Sequence, residues 1–148
     1  MRLLIQRVSH AKVTVSERVI GEIGPGLLIF LGVGVGDTEE TCSEMAEKAS
    51  RLRIFEDDAE KMNLDVTSVS GSVLVISQFT LYADTRKGNR PSFTGAAKPE
   101  EGKKLYEFFI RKMREILGEN KVAEGMFGAM MDVELINDGP VTIWMDSC

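Results

Sequence analysis

The sequence predicts a single α/β or α+β domain, a mostly antiparallel β-sheet or barrel with two main helices packed on it. Apolar β-type segments gather at both ends of the chain and once in its middle, and helical periodicities separate them. With 148 residues and 43% hydrophobic content, the chain can form one core, since chains of this size bury roughly two thirds of their unfolded surface. One domain over residues 1–148 is therefore expected.

Residues 2–8 and 11–15 are apolar or alternating and β-prone, with Ser9-His10 predicted as a hairpin turn between them. The pattern continues over 18–23 to a turn at Gly24-Pro25-Gly26. Residues 27–35 predict a fully buried strand. Its glycines, Gly32, Gly34 and Gly36, lack the Lys-Ser/Thr of a Walker loop and the dinucleotide spacing, so bulges or close backbone packing explain them better. Asp37 with Glu40 gives a capping-box pattern, and Cys42, Met45, Ala49 and Leu52 recur at helical spacing, predicting a helix over 38–51. The polar stretch 56–71 reads as an excursion, and 72–79 as the central buried strand. Pro99, the acidic first turn Glu100-Glu101, the apolar set Leu105, Phe108, Phe109, Met113 and Ile116, and Gly118 define a second helix from start to stop. The tail predicts a strand over 121–123 and a hairpin of 130–136 with 141–145, turned at Asp138-Gly139.

Composition excludes several classes. The net charge of −5 argues against a generic nucleic-acid or DNA binder, yet residues 84–98 hold four cations (Arg86, Lys87, Arg90, Lys98) against Asp84 alone, a local balance of +3 suited to a confined phosphate contact. No run reaches the roughly 20 apolar residues of a membrane helix, and Gln6 and Arg7 interrupt the first apolar run, so a cytoplasmic protein without membrane association is expected. Cys42 and Cys148 have neither CxxC spacing nor a nearby histidine, which disfavours zinc and disulfide frameworks; no metal and no cofactor are expected. His10 is the only histidine, and no nucleophile elbow or metalloprotease helix is present, so a conventional triad is not expected.

Ser77, Gln78 and Thr80 remain, where a buried strand meets a polar loop, beside the Gly139-Pro140 turn. Hydroxyl and amide groups without a base suit an electrophile that is already activated, such as an ester. There, positioning and N–H donors to a developing oxyanion supply most of the acceleration, and the backbone N–H groups of Phe79 and Thr80 are natural donors. By pattern alone, a polar strand end and an ordinary hairpin turn explain the same residues.

The motifs Leu4-Ile5-Gln6-Arg7-Val8, Gly24-Pro25-Gly26-Leu27-Leu28, Lys61-Met62-Asn63-Leu64, Ser77-Gln78-Phe79-Thr80-Leu81, Arg90-Pro91-Ser92-Phe93 and Asn137-Asp138-Gly139-Pro140-Val141-Thr142 occur in one order along the whole chain. In this the chain resembles the D-aminoacyl-tRNA deacylases, also called D-tyrosyl-tRNA deacylases. The resemblance implies a carboxylic ester hydrolase that edits D-aminoacyl-tRNA and mischarged glycyl-tRNA and rejects L-aminoacyl-tRNA. It implies a homodimer in which Gly139-Pro140, as a Gly-cis-Pro element steadied by Arg7, enters the partner's pocket. It also implies that Ser77, Gln78, Phe79 and Thr80 line the ester. The 2′-hydroxyl of the terminal adenosine would assist in place of a protein base, with Thr80 as nucleophile ranked second. Arg86, Lys87 and Arg90 would contact the tRNA acceptor stem.

Overall fold

The computed structural model describes residues 1–147, in the order β1 (Arg2–Val15), β2 (Arg18–Ile23), β3 (Gly26–Gly32), α1 (Glu39–Ser50), β4 (Phe55–Glu56), β5 (Met62–Leu64), β6 (Ser72–Ser77), a 3-10 turn (Phe79–Tyr82), α2 (Pro99–Leu117), a short 3-10 segment (Glu119–Lys121), β7 (Val122–Glu124) and β8 (Asp132–Asp146). Cys148 lies outside the described residues. No helix among them is long and apolar enough to cross a membrane.

The centre of the fold is the parallel pair β3 and β6, in register from Gly26↔Ser72 to Leu31↔Ser77. Both strands are near-continuous apolar runs, the pattern of strands covered on both faces. Leu27, Ile29, Leu31, Val73 and Val75 face the helices, packing with Cys42, Ala46 and Ala49 of α1 and Leu105, Phe109 and Met113 of α2. Leu28, Leu74 and Ile76 face the other way and meet Val8, Ala11, Val13 and Ile23. That second cover is the sheet itself. β1 pairs antiparallel with β3 over residues 2–8 and with β2 over 11–15, and β7 extends the sheet parallel to β6. β2 curls back onto β6 and β7, so closely that a Cβ on Gly21 would lie 2.8 Å from the Glu124 carbonyl oxygen. The result is a mixed, nearly barrel-shaped sheet with two helices on one side. Its order is β2-β1-β3-β6-β7, with β8 also on β1.

Four sequence expectations need correction. Ser9-His10 is no turn: β1 is one 14-residue strand, and His10 within it bonds Glu22 at 2.7 Å. The predicted C-terminal hairpin is one 15-residue strand, β8, which pairs with β1 from Arg2↔Asp146 to Thr14↔Asp132. Asp138-Gly139 is therefore a break inside a strand. Gln6 pairs with Thr142 and Val8 with Asn137, so the four residues 138–141 bulge opposite Arg7 alone. The cap of α1 is Thr38, whose hydroxyl accepts from Thr41 N at 3.2 Å, because Asp37 is committed to Gly34 N (2.7 Å) and the Met1 ammonium (2.6 Å). Finally, the buried strands are shorter than expected: β3 stops at Gly32 and β6 at Ser77.

α2 matches its sequence signals at both ends, with Pro in its first turn and Gly118 at φ 110° donating to Arg114 O. Its fully buried Phe109 ties α1 to β3 and β6. Phe109→Ala is expected to cost about 3–5 kcal/mol, measured as the loss in unfolding free energy by urea titration at unchanged m-value.

Candidate active site

Carboxyl ends of parallel strands are where α/β sheets leave crevices, because the chain must depart from the ladder there. Here a cleft of about 650 Å³ opens beyond β3 and β6. Leu31, Val33, Ile76 and Ser77 form one wall, Gly102 and Tyr106 of α2 another, and Phe93 with residues 127–131 the rest. Gln78 and Phe79 line its mouth.

The local path follows from glycines in β3 and just after it. A Cβ on Gly32 would press on Gln78 O, Leu81 and Tyr82 at 3.0–3.2 Å, and one on Gly34 would collide with the Tyr82 hydroxyl. Their absence lets the 3-10 turn fold tightly over the strand end, which is the close packing expected of these glycines. Gln78 N donates to Leu31 O at 2.8 Å, the last link to β3. Inside the turn, Leu81 N donates to Gln78 O at 3.3 Å and Ala83 N to Thr80 O at 3.0 Å. The turn's own bonding thus begins at Leu81, and the N–H groups of Phe79 and Thr80 precede it, as the leading donors of a helical turn do. The Gln78 side-chain amide donates to Thr80 Oγ1, orienting that hydroxyl. Phe79 is exposed and meets Phe93 edge-on at 5.1 Å, closing the cleft's outer rim.

Among the described residues lining the cleft none is an acid, a lysine, an arginine, a histidine or a cysteine. Its one ionisable group, the Tyr106 phenol, is turned away into a 2.9 Å bond to Val75 O, and burial raises its pKa. Burial, with Asp37 nearby, also pushes the Cys42 thiol up to about 12, so it is no nucleophile at neutral pH. Among the described residues no group of His, Cys, Asp and Glu could hold a metal.

The second half of the expected site is elsewhere. Gly139 and Pro140 are exposed, joined by a cis bond, and absent from the cleft's lining. Arg7, buried opposite the bulge, donates through Nε to Asp138 O at 2.8 Å and through Nη1 to Ile54 O at 2.7 Å. Asn137 braces the same segment: its Oδ1 accepts from Val141 N at 2.8 Å, while Nδ2 donates to Val141 O and Thr142 Oγ1. A single chain therefore brings Ser77, Gln78, Phe79 and Thr80 together, and separately Arg7, Gly139 and Pro140. Phe127, Met130 and Met131 were not anticipated as cleft residues; three large apolar side chains in a short glycine-containing loop were the available signal.

Arg86, Lys87 and Arg90 are exposed in the loop that Asp84 and Ser92 close by mutual backbone bonds of 2.7 and 3.0 Å, next to Phe93 of the cleft. They are not equivalent. Arg86 is forked onto Asp84 through Nε (2.9 Å) and Nη2 (2.6 Å), whereas no ion pair ties up Lys87 or Arg90 among the described residues.

The same curled sheet with two helices occurs in a solved structure titled as a probable eukaryotic D-amino acid tRNA deacylase, at TM-score 0.82 and 16% identity over 97% of each chain. A second, titled c-Myc DNA Unwinding Element Binding Protein, has TM-score 0.94 and 37% identity, covering 99% of this chain and 98% of that one. At the sequence level, a D-aminoacyl-tRNA deacylase of Thermotoga petrophila is 58% identical over 99% of this chain and 97% of its own length. The profile of the family described as D-Tyr-tRNA(Tyr) deacylase matches residues 4–146, and the chain belongs to that family of hydrolases.

The Arg86 fork, with the Arg86 backbone N–H, holds the Asp84 carboxyl down at about 2 against an ordinary 3.8. Because the folded value is the lower one, the loop's gain from this pair is present above pH 3.8 and is lost as pH falls through about 2. A carboxyl-carbon NMR titration is expected to place Asp84 near that lower value, and Arg86→Gln to return it toward 3.8.

Proposed function

We propose that this chain is an editing hydrolase that cleaves the ester between a D-amino acid, or mischarged glycine, and the terminal adenosine of tRNA, and that it rejects L-aminoacyl-tRNA. The observation that carries the reading is the cleft itself: backbone donors and a hydroxyl on one tight turn, apolar walls and, among the described residues lining it, no acid, base or thiol placed for catalysis. An aminoacyl ester needs no strong nucleophile prepared for it. The N–H groups of Phe79 and Thr80 receive the developing oxyanion, Ser77, Gln78 and Thr80 position the ester, and apolar walls keep those dipoles strong. The 2′-hydroxyl of the terminal adenosine assists attack by water, in the role that a histidine takes elsewhere. Thr80 as a nucleophile is the weaker reading, because its hydroxyl is held by Gln78 and has no base beside it.

Chiral choice falls to Gly139-cis-Pro140, and it requires a second copy of the chain, since that segment does not reach its own cleft. In the homodimer each subunit inserts this segment into its partner's cleft, with Arg7 steadying it through the Asp138 carbonyl. The exposed apolar side chains Ile136, Trp144 and Met130 offer surface for such an association. Main-chain atoms then occupy the space that an L side chain needs. A D side chain points away, and glycine has nothing to clash, so selectivity is rejection and not attraction. Lys87 and Arg90 hold the acceptor-stem phosphates, and Arg86, already shared with Asp84, adds less.

Deacylation assays on purified protein are expected to rank D-tyrosyl-tRNA and glycyl-tRNA far above L-tyrosyl-tRNA. A steric penalty of about 3 kcal/mol would correspond to roughly a hundredfold difference. Comparable rates on the D and L esters would refute the reading. Replacing Lys87 and Arg90 together by alanine is expected to weaken tRNA binding and to lower the slope of log K against log salt by about 1 to 2. An unchanged slope removes both residues from the tRNA contact.

A further inference from the structure

The 3-10 turn that presents Phe79 and Thr80 is four residues long, and its internal bond from Leu81 N to Gln78 O is 3.3 Å. Turns of this type have poor hydrogen-bond geometry and little rigidity of their own. Gln78 N anchors the entry to β3. The exit is anchored by a residue far away in sequence, Arg2 at the start of β1. Its Nη1 donates to Leu81 O at 3.0 Å. Its Nε donates to Asp146 Oδ2, also at 3.0 Å. The guanidinium carbon lies 4.4 Å from the centre of the Tyr82 ring and 5.7 Å from that of Trp144. Leu81 and Tyr82 are the last two residues of the turn whose first two supply the N–H groups.

We propose that Arg2 is a positioning residue for ester hydrolysis: it clamps the exit of the turn, through the Leu81 carbonyl and the Tyr82 ring, and so fixes where the Phe79 and Thr80 N–H groups point. The inference rests on the reading of the cleft given above and extends it to a side chain that does not line the cleft. Only arginine fits the task. A planar fork donates to a carbonyl and to a carboxylate at once while its face lies on an aromatic ring, whereas a lysine ammonium keeps the charge and can reach one of these partners at a time. The clamp acts on the transition state, because a small rotation of the turn leaves the apolar walls intact but misaims the donors. Displacements of about 1 Å in such constellations cost on the order of a hundredfold.

The test compares Arg2→Ala and Arg2→Lys with the unmodified dimer on D-tyrosyl-tRNA. Both variants are expected to lose roughly ten- to a hundredfold in kcat with KM changed by about twofold or less, and low millimolar guanidinium is expected to restore part of the kcat of Arg2→Ala but not of Arg2→Lys. Asp146→Asn, which keeps the Leu81 contact, is expected to lose far less than either. Unchanged kcat in Arg2→Ala overturns the inference, as does a loss that guanidinium cannot rescue and that tracks a fall in melting temperature in both variants. An unmodified protein that leaves D-tyrosyl-tRNA intact overturns instead the functional reading on which the inference rests.

Discussion

Two central strands, β3 and β6, are apolar on both faces, and everything else in the molecule is arranged to satisfy them. Leaving one face in water would expose Leu27, Ile29, Leu31, Val73 and Val75, and leaving the other would expose Leu28, Leu74 and Ile76, each worth about 1.5–3 kcal/mol when buried. Two different covers are therefore needed. α1 and α2 supply one. Among the described residues no further long helix is there for the other, so the sheet supplies it by curling β1, β2 and the start of β8 over Leu28, Leu74 and Ile76. The cleft lies where both covers end. From Val73 to Ile76 β6 carries no polar side chain; Ser77 ends that run, and the apolar character of the cleft is the continuation of the core beyond the ladder.

The parts of the fold visible in the sequence are those fixed by neighbouring residues. α2 carried its own start, apolar stripe and stop, and the burial of residues 73–76 followed from the absence of polar side chains. What failed was any feature decided by a distant strand. Ser9-His10 and Asp138-Gly139 have the local composition of turns, but a strand that bulges and a chain that reverses use the same residues. Only the pairing of β1 with β8 distinguishes them. Likewise Asp37 is as good a cap as Thr38 in isolation, and its capture by Gly34 N and the Met1 ammonium cannot be read locally. For the cleft, Ser77 and Gln78 stood out as hydroxyl and amide groups at the end of an apolar strand, but pattern alone read them equally as an ordinary polar strand end, and it was the family resemblance that singled them out. Phe93 and the 127–131 segment did not stand out, because loop hydrophobes reveal their purpose only when folded around a common space.

The bulge of 138–141 shows how a strand can be interrupted without losing its partner. The ladder between β1 and β8 resumes on both sides of it, and within the gap the buried Arg7 side chain bonds Asp138 O of the bulge and ties it to Ile54 O, outside the ladder. A buried guanidinium without such carbonyls would be costly, and the carbonyls without it would be unpaired. The two therefore stabilise each other, and the exposed Gly139 and Pro140 are held by a residue of the interior.

That ladder also joins the first strand of the chain to the last. During synthesis β1 leaves the ribosome with β2 and β3 as early partners, but β8 follows more than a hundred residues later. At about 5–20 residues per second, one edge of β1 stays open for something like ten seconds, an interval in which nascent chains on the same message could pair through it. Lys12, which faces Glu134 across the finished ladder at 3.5 Å, places a cation on that waiting strand, and edge cations are among the features that discourage two like edges from meeting.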